Sequence, residues 1–163
     1  MTEPLSLTDI EEMIPGTRVM KYSDLSKYKH LPKLPMVILY ETEPNYGHWV
    51  AILETPEGVE HFDSYGIIPD NELKWIPREL KKSTGQDLKR LLRMLYDYSI
   101  ITGQKINYNN HRLQGSLAST CGRWCVLRIL FYALGTDRFY RMVKSVSDQL
   151  KMSPDSMVSL AIR

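Results

Sequence analysis

Two strand-like segments joined by a short turn constrain the fold more strongly than any other feature of the sequence. Residues 48–53 (His-Trp-Val-Ala-Ile-Leu) and 59–64 (Val-Glu-His-Phe-Asp-Ser) are rich in apolar and aromatic side chains, as strands are. Between them, residues 55–58 (Thr-Pro-Glu-Gly) have proline at the second position and glycine at the fourth, which is typical of a type I turn. Strands joined this closely pair antiparallel, so we predict a β-hairpin.

The length of this turn also determines which side chains share a face of the hairpin. A turn centred on Pro56 and Glu57 places Val50 opposite Asp63, and His48 then lies on the same face as Asp63. A slip of one residue would put these two side chains on opposite faces. The sequence therefore predicts that an imidazole and a carboxylate meet at the open end of the hairpin.

The remaining segments predict an α+β fold in which helices flank a central, mostly antiparallel sheet. Short apolar or alternating runs predict further strands at residues 36–40 and 105–113, with a loop over residues 21–35. Apolar spacing and capping signals predict a short helix opened by a capping box from Thr8 to Glu11 and helices over residues 86–103, 121–134 and 137–150. A further short helix is predicted around residues 75–80 and a short turn at residues 153–156. We predict one domain over residues 1–163, a length that suits a single core.

Composition limits where the protein is expected to work. With 43% hydrophobic and 25% charged residues, the chain has the balance of an ordinary globular protein. No apolar run approaches the roughly 20 residues of a membrane span, and the start of the chain lacks the basic and apolar regions of a signal peptide. We therefore expect a protein that is not secreted and does not contact membranes.

Basic residues cluster in two short segments, residues 74–82 and 89–93, although the formal net charge is only +2. A solvated helical face is the simpler interpretation of such clusters. Strong electrostatic binding of nucleic acid is not implied at this net charge. We expect at most weak contact with nucleic acid through these two segments.

The two cysteines of the chain, Cys121 and Cys125, point to a free thiol. Two cysteines four residues apart cannot form a disulfide framework and are too few for a cysteine-based zinc site. Cys121 lies where a loop enters a predicted helix, and a helix N-terminus stabilises the reactive thiolate. A buried, inert cysteine is the alternative for Cys121, and it suits Cys125 better because Cys125 lies in an apolar stripe.

A cysteine nucleophile needs a base, and the chain has four histidines. His48 opens an apolar strand after a glycine-bearing loop, so its ring can stand at the rim of the sheet. Asp63 is the best candidate to orient that ring and stabilise its cationic form, although an exposed aspartate at a strand end is the simpler alternative. His30 is expected in solvent and His61 in a satisfied structural role. His111 is the competing base because it is close to the nucleophile in sequence.

Gln114 precedes Cys121 by seven residues and is the candidate oxyanion donor. A glutamine amide offers two N–H donors without charge, which suits a negative charge developing on a carbonyl oxygen. The backbone N–H of Cys121 could supply the second donor. A loop glutamine alone carries no weight, so this assignment depends on the joint pattern.

That joint pattern resembles a known family. The segments Gly47-His-Trp-Val-Ala51 and Glu60-His-Phe-Asp-Ser-Tyr-Gly66, followed by Gln114 and then Cys121-Gly122 after a six-residue gap, resemble the adenovirus-type maturation proteases (adenains). More broadly, they resemble the SUMO/ubiquitin-like protease clan, in which the order along the chain is His, Asp or a related residue, Gln, Cys. The resemblance covers roughly residues 48–134.

The resemblance implies a papain-like, adenain-like fold with the nucleophile at a helix N-terminus. It implies His48 as base, Asp63 as its orienter, Cys121 as nucleophile and Gln114 as oxyanion donor. Trp49 would pack beside the His48–Asp63 pair and shield it from water. Neither a cofactor nor a metal is expected. A disulfide-linked activating peptide is not expected either, because the chain has no third cysteine.

The function implied is that of a cysteine endopeptidase acting on viral structural precursors, a capsid precursor above all. Such an enzyme would work in the virion or in viral factories of the host cytoplasm. Removal of ubiquitin-like modifiers and acetyl transfer from acetyl-CoA use the same residues in related proteins and remain alternatives. A non-catalytic binding module is the third class, and the complete set of four residues argues against it.

Overall fold

The computed structural model describes residues 3–115 and 118–163. Within them, five strands form one mixed sheet in the order β1-β2-β3-β4-β5: β1 (Arg18–Lys21), β2 (Met36–Glu43), β3 (Tyr46–Thr55), β4 (Gly58–Phe62) and β5 (Ile106–Tyr108). The α-helices are α1 (Leu7–Met13), α2 (Arg78–Ser83), α3 (Arg90–Thr102), α4 (Cys121–Leu130), α5 (Thr136–Leu150) and α6 (Pro154–Ala161). Two 3₁₀ turns, Tyr22–Lys27 and Asn71–Trp75, complete the regular structure. The fold class is α+β, as predicted.

The central hairpin has the predicted register. Thr55 pairs with Gly58 and Ala51 pairs with Phe62, so the turn is centred on residues 56 and 57. The ladder ends at Phe62, and its continuation places Asp63 opposite Val50. Because side chains alternate between faces along a strand, this register puts the side chains of residues 48 and 63 on one face.

The sheet is mixed, which corrects the expectation of a mostly antiparallel one. β2–β3 and β3–β4 pair antiparallel, but the edge strands β1 and β5 pair parallel to their neighbours. Both edge strands are short, four and three residues, and each is separated from its neighbour in sequence by helical or irregular chain. Parallel pairing requires such a crossover. β1 was not predicted, and only part of the predicted 105–113 strand forms.

β3 separates two hydrophobic cores because both of its faces are covered. Trp49, Ala51 and Leu53 pack with α1, α4, α5 and α6 on one side. Val50 and Ile52 pack with α3 and the two 3₁₀ turns on the other. A strand buried on both faces reads as a continuous apolar run rather than an alternating one, which explains the composition of residues 48–53.

Helix α4 ends at Leu130, four residues earlier than predicted. The cause is Arg128, which is fully buried and whose guanidinium donates to the carbonyl oxygens of Phe131 at 3.0 Å and Leu134 at 2.8 Å. These bonds bend the chain around the arginine instead of extending the helix. Gly135 is the N-cap of the next helix, α5.

Two other helix predictions also need correction. The capping box of α1 joins Ser6 and Asp9, with the Ser6 N–H donating to the carboxylate at 2.8 Å, rather than Thr8 and Glu11. Aspartate therefore takes the place of the glutamate expected at the third position. Residues 153–156 open the two-turn helix α6 rather than a single turn. No helix among the described residues is both long enough and apolar enough to cross a membrane.

Candidate active site

The thiol of Cys121 lies at the first residue of α4 and is buried against β3. The backbone N–H of Trp49 donates to its sulfur at 3.5 Å. The side chain of Thr120, at the N-cap position, donates to Asp155 at 2.6 Å instead of capping the helix. Free N–H groups in the first turn of α4 can therefore stabilise negative charge on the sulfur.

The imidazole of His48 lies between this thiol and a carboxylate. Its Nε2 atom is 2.9 Å from Oδ1 of Asp63, and the Cys121 side chain is close enough to the ring to raise its pKa. Because Nε2 is engaged by Asp63, Nδ1 is the nitrogen left to face the sulfur. Tyr65 stacks on the imidazole with ring centroids 4.8 Å apart. The structure thus brings together three of the four residues singled out in the sequence.

The chain before His48 is fixed by a close contact between two backbones. A β carbon at Gly47 would lie 1.9 Å from the carbonyl oxygen of Tyr40, so only glycine fits here. The buried side chain of Gln86 accepts from the Glu41 N–H at 2.8 Å and donates to the Glu41 carbonyl at 3.0 Å. Both contacts hold the β2–β3 connection, and therefore the position of the imidazole.

Asp63 is held by an asparagine that the sequence did not point to. Oδ1 of Asn109 accepts the Asp63 N–H at 2.7 Å, and Nδ2 of Asn109 donates to the Asp63 carbonyl at 2.7 Å. The Asp63 carboxylate itself accepts the N–H of Tyr65 at 2.8 Å. These bonds stop the β4 ladder at Phe62 and aim the carboxylate at the imidazole. Asn109 follows β5 directly and carries no local sequence signal for this role.

A second carboxyl group, that of Glu72, also reaches the imidazole. Its Oε1 is 3.2 Å from Nε2 of His48, and the side chain is buried. Glu72 lies in the 3₁₀ turn Asn71–Trp75, outside every helix and strand predicted from the sequence. That turn is anchored by Asp70, whose carboxylate accepts from the Tyr40 hydroxyl at 2.9 Å and from the Leu92 N–H at 2.7 Å.

His48, Asp63 and Glu72 form the one group of possible metal ligands found among residues 3–115 and 118–163, with one ligand atom of each lying within 4.8 Å of the others. The Nε2–Oδ1 distance of 2.9 Å is that of a hydrogen bond. We therefore describe the group as a hydrogen-bonded cluster.

The surroundings favour a thiolate paired with an imidazolium. Burial raises the pKa of the Cys121 thiol, but the hydrogen bond and positive charge of His48 lower it, as do two backbone N–H groups, and the net pKa lies below the ordinary value. Burial lowers the pKa of His48, but the neighbouring carboxyl groups of Asp63 and Glu72 raise it well above the usual value. Because the thiolate is the nucleophilic form of cysteine, the Cys121 sulfur of this pair can attack an electrophilic carbon.

Gln114 is buried in the loop that leads to α4. Its Oε1 accepts from the Ser64 hydroxyl at 2.6 Å, and its Nε2 donates to the Ala118 carbonyl at 2.6 Å. These bonds tie the loop to the residue after Asp63 and to a position three residues before Cys121. Ala118 accepts one amide hydrogen, and within residues 3–115 and 118–163 no second acceptor takes the other. The oxyanion role of Gln114 stays a prediction, and residues 116–117 of this loop lie outside the described residues.

The other histidines have different surroundings. His30 is exposed. His111 stacks on Tyr140 with centroids 3.9 Å apart and lies 3.1 Å from a carboxylate oxygen of Asp137, so its ring is engaged by α5. His61 is buried, as expected of a structural residue. Its ring nitrogens were expected to be hydrogen-bonded, but neither has a hydrogen-bond partner among the described residues. Burial lowers the pKa of His61 to about 4.

Cys125 and Trp49 belong to the core on the α4 side of the sheet. Burial raises the pKa of the Cys125 thiol well above the ordinary value, which agrees with an inert cysteine. Trp49 does not pack beside the His48–Asp63 pair as expected, because neighbouring residues of a strand point to opposite faces. Its indole instead donates to the Leu5 carbonyl at 3.2 Å.

A cavity of about 160 Å³ adjoins the Cys121 thiol. Its lining includes Leu5, Asn45, Tyr46, Gly47, Ser119 and Gly122. A larger apolar cavity of about 500 Å³ lies between the α1–β1 connection and the end of α4 and does not include the thiol. The first cavity is therefore the one placed to admit a reacting group.

The basic side chains of the 74–82 and 89–93 segments lie in and around α2 and the start of α3. Those that are exposed include Lys74, Arg78, Lys82, Lys89 and Arg93. Weak contact with nucleic acid through them remains a prediction.

Fold and site together define an α+β protein in which a buried thiol, an imidazole and two carboxyl groups converge at the start of a helix. The chain is 34% identical over 165 residues to a protein of the Sputnik virophage named "Uncharacterized protein V9", with 96% of this chain and 92% of that protein covered. The chain therefore belongs to the same protein family as virophage V9. No protein-family model matches the sequence.

Proposed function

We propose that this protein is a cysteine endopeptidase with an adenain-like, papain-like fold. The observation that carries the proposal is the placement of Cys121 at the N-terminus of α4 against the His48–Asp63 pair. An inert buried cysteine needs neither an imidazole nor a free helix terminus, and Cys125 has neither. A general base within reach of the nucleophile, oriented by a third group, is the arrangement that activates a thiol.

In the proposed reaction, the Cys121 thiolate attacks the carbonyl carbon of a peptide bond. The negative charge that develops on the carbonyl oxygen is stabilised by the Gln114 amide and the backbone N–H of Cys121. His48 then donates its proton to the leaving amine, which departs and leaves a thioester. Water, deprotonated by His48, attacks the thioester and releases the second product and the thiol. Asp63 keeps the imidazole oriented and stabilises its cationic form.

The proposed substrates are structural precursor proteins of a virus, a capsid precursor first among them. The family relationship to a virophage protein supports a viral setting. The protein would then act in assembling virions or in viral factories of the host cytoplasm.

The test is cleavage of the recombinant capsid precursor encoded by the same virus, followed by mass spectrometry of the products. We expect cleavage at defined sites by the wild type and by Cys125→Ala, and none by Cys121→Ser or His48→Ala. Parallel reactions with a ubiquitin-like modifier carrying a C-terminal electrophile and with acetyl-CoA distinguish the alternative activities. Modification of Cys121 by either of these, without cleavage of any viral protein, would replace the proposal with that activity.

A further inference from the structure

We infer that Glu72 is a positioning residue of this site, which holds a proton that it shares with Asp63 and thereby keeps Asp63 ionised against His48. The effect on turnover rests on the proposed peptidase function. The shared proton itself is independent of that function and can be observed separately.

One nitrogen of the imidazole, Nε2 of His48, faces two carboxyl groups. Nε2 of His48 is 2.9 Å from Asp63 Oδ1 and 3.2 Å from Glu72 Oε1, and only the Asp63 contact has hydrogen-bond geometry. Nε2 carries at most one hydrogen. The imidazole therefore satisfies Asp63 and leaves Glu72 without a donor from this ring.

Each of the two carboxyl groups has one buried oxygen atom that lacks a donor among the described residues. Oδ2 of Asp63 and Oε1 of Glu72 are both buried and both lack a hydrogen-bond partner among the described residues. A buried carboxylate oxygen without a donor is costly. One carboxyl oxygen of Asp63 and one of Glu72 lie within 4.8 Å of each other, and interaction between the two side chains shifts the pKa of both. A single proton on Glu72 would therefore give Asp63 a donor and remove the charge of Glu72.

The groups around Glu72 carry more negative than positive charge when they are ionised. The titratable groups that interact with Glu72 include one base, His48, and five groups that are neutral or negative: Tyr40, Asp63, Tyr65, Cys121 and Cys125. On its own turn, Lys74 lies over the ring of Trp75 at 4.5 Å. With Asp63 and Cys121 ionised, an ionised Glu72 would be a third negative charge around one imidazolium.

Two carboxyl groups that share a buried site do not both ionise readily. Burial raises the pKa of Glu72, and although the charge of His48 lowers it, the hydrogen bond and charge of Asp63 raise it, so the net pKa lies well above the ordinary value. Of the two carboxyl groups, Asp63 has the backbone N–H and the imidazole as donors and is therefore the one that stays ionised.

The experiment compares Glu72→Gln, Glu72→Leu and the exposed control Glu79→Gln with the wild type. Infrared difference spectra at neutral pH should show the C=O stretch of a protonated carboxylic acid in the wild type and in the control but not in Glu72→Gln. The rate of Cys121 alkylation by iodoacetamide is then measured against pH, as a report of thiolate formation that requires no peptide substrate.

We expect Glu72→Gln to keep the wild-type alkylation profile, because its amide replaces the shared proton with an N–H donor to Asp63. In Glu72→Leu, Asp63 loses that donor and protonates at higher pH. It then stops stabilising the imidazolium, so the acidic limb of the profile should move up by about 1 unit or more. Peptide cleavage should likewise be retained in Glu72→Gln and reduced in Glu72→Leu.

Three results would overturn the inference. They are an alkylation defect in Glu72→Gln as large as in Glu72→Leu, a wild-type profile in Glu72→Leu, and a rise in melting temperature on adding zinc to the wild type but not to Glu72→Gln. If Glu72→Leu does not fold, the infrared signal and the Glu72→Gln profile still decide. If no variant cleaves peptide while both of these behave as expected, the proposed function fails and the inference stands.

Discussion

The ion pair between Arg128 and Glu60 joins the helix that carries the thiol to the strand that leads to Asp63. Nε of Arg128 donates to one carboxylate oxygen of Glu60 at 2.7 Å and Nη2 donates to the other at 3.0 Å, with both side chains fully buried. Thr136 also donates to this carboxylate. The prediction is that Arg128→Met destabilises the protein strongly, because it leaves the carboxylate buried without its cation.

Removing one partner of a buried ion pair costs about 3–5 kcal/mol. For a protein of this length, about 1 kcal/mol corresponds to a shift in melting temperature of about 2–4 °C, so Arg128→Met should lower it by about 6–20 °C. Adding Glu60→Gln removes the uncompensated charge and should recover part of the loss. The carbonyl groups of Phe131 and Leu134 would still lack their donor, at a cost of about 1–3 kcal/mol each.

Urea unfolding of the wild type, both single variants and the double variant gives the coupling free energy of the pair. Arg93→Met, which changes an exposed arginine of α3, is the matched control and should stay within about 0.5 kcal/mol of the wild type. The reasoning fails if Arg128→Met costs less than about 1 kcal/mol, or if the double variant is no more stable than Arg128→Met alone.

Three further predictions concern Cys121, Gln114 and His61. Iodoacetamide at neutral pH should label Cys121 well before Cys125, as mass spectrometry of the peptides would reveal, and preferential labelling of Cys125 would contradict the assignment. Gln114→Ala should lose about 100- to 1,000-fold in peptide turnover yet keep Cys121 alkylation, which depends on His48; cleavage at the wild-type rate would show that the loop is only a connector. The pKa of His61 falls from 6.5 to about 4 on burial, so stability is full above pH 6.5 and declines as the pH falls towards 4, by about 3 kcal/mol at 1.36 kcal/mol per pKa unit. His61→Leu should flatten this decline in urea unfolding measured across that range, and an unchanged slope would point to other groups.

The parts of the site that sequence predicts well are those set by local structure. The four-residue turn with its proline and glycine is a local signal, and it fixed the register that puts His48 and Asp63 on one face. Cys121 was also placed correctly, because the change from a polar loop to an apolar helix is visible in the sequence itself.

The parts that sequence did not predict depend on contacts between distant segments. Glu72 lies in a stretch without periodicity and Asn109 lies in a segment predicted only as a strand, and only the packing of these segments against the sheet brings the two side chains to Asp63. The early end of α4 depends on the contact between Arg128 and Glu60, which are 68 positions apart in the chain. The short edge strands are defined by what they pair with, since three or four residues carry too little pattern of their own.

The position of the hairpin within the site also has a consequence for the order of folding. The His48–Asp63 contact spans 15 positions of the chain, whereas the contact between Trp49 and the Cys121 sulfur spans 72. Closing a short loop costs less entropy than closing a long one, and local contacts form faster. We expect the imidazole–carboxylate pair to assemble early and the thiol to reach it late. A newly synthesised chain would then lack an activated thiol until this last long-range contact forms.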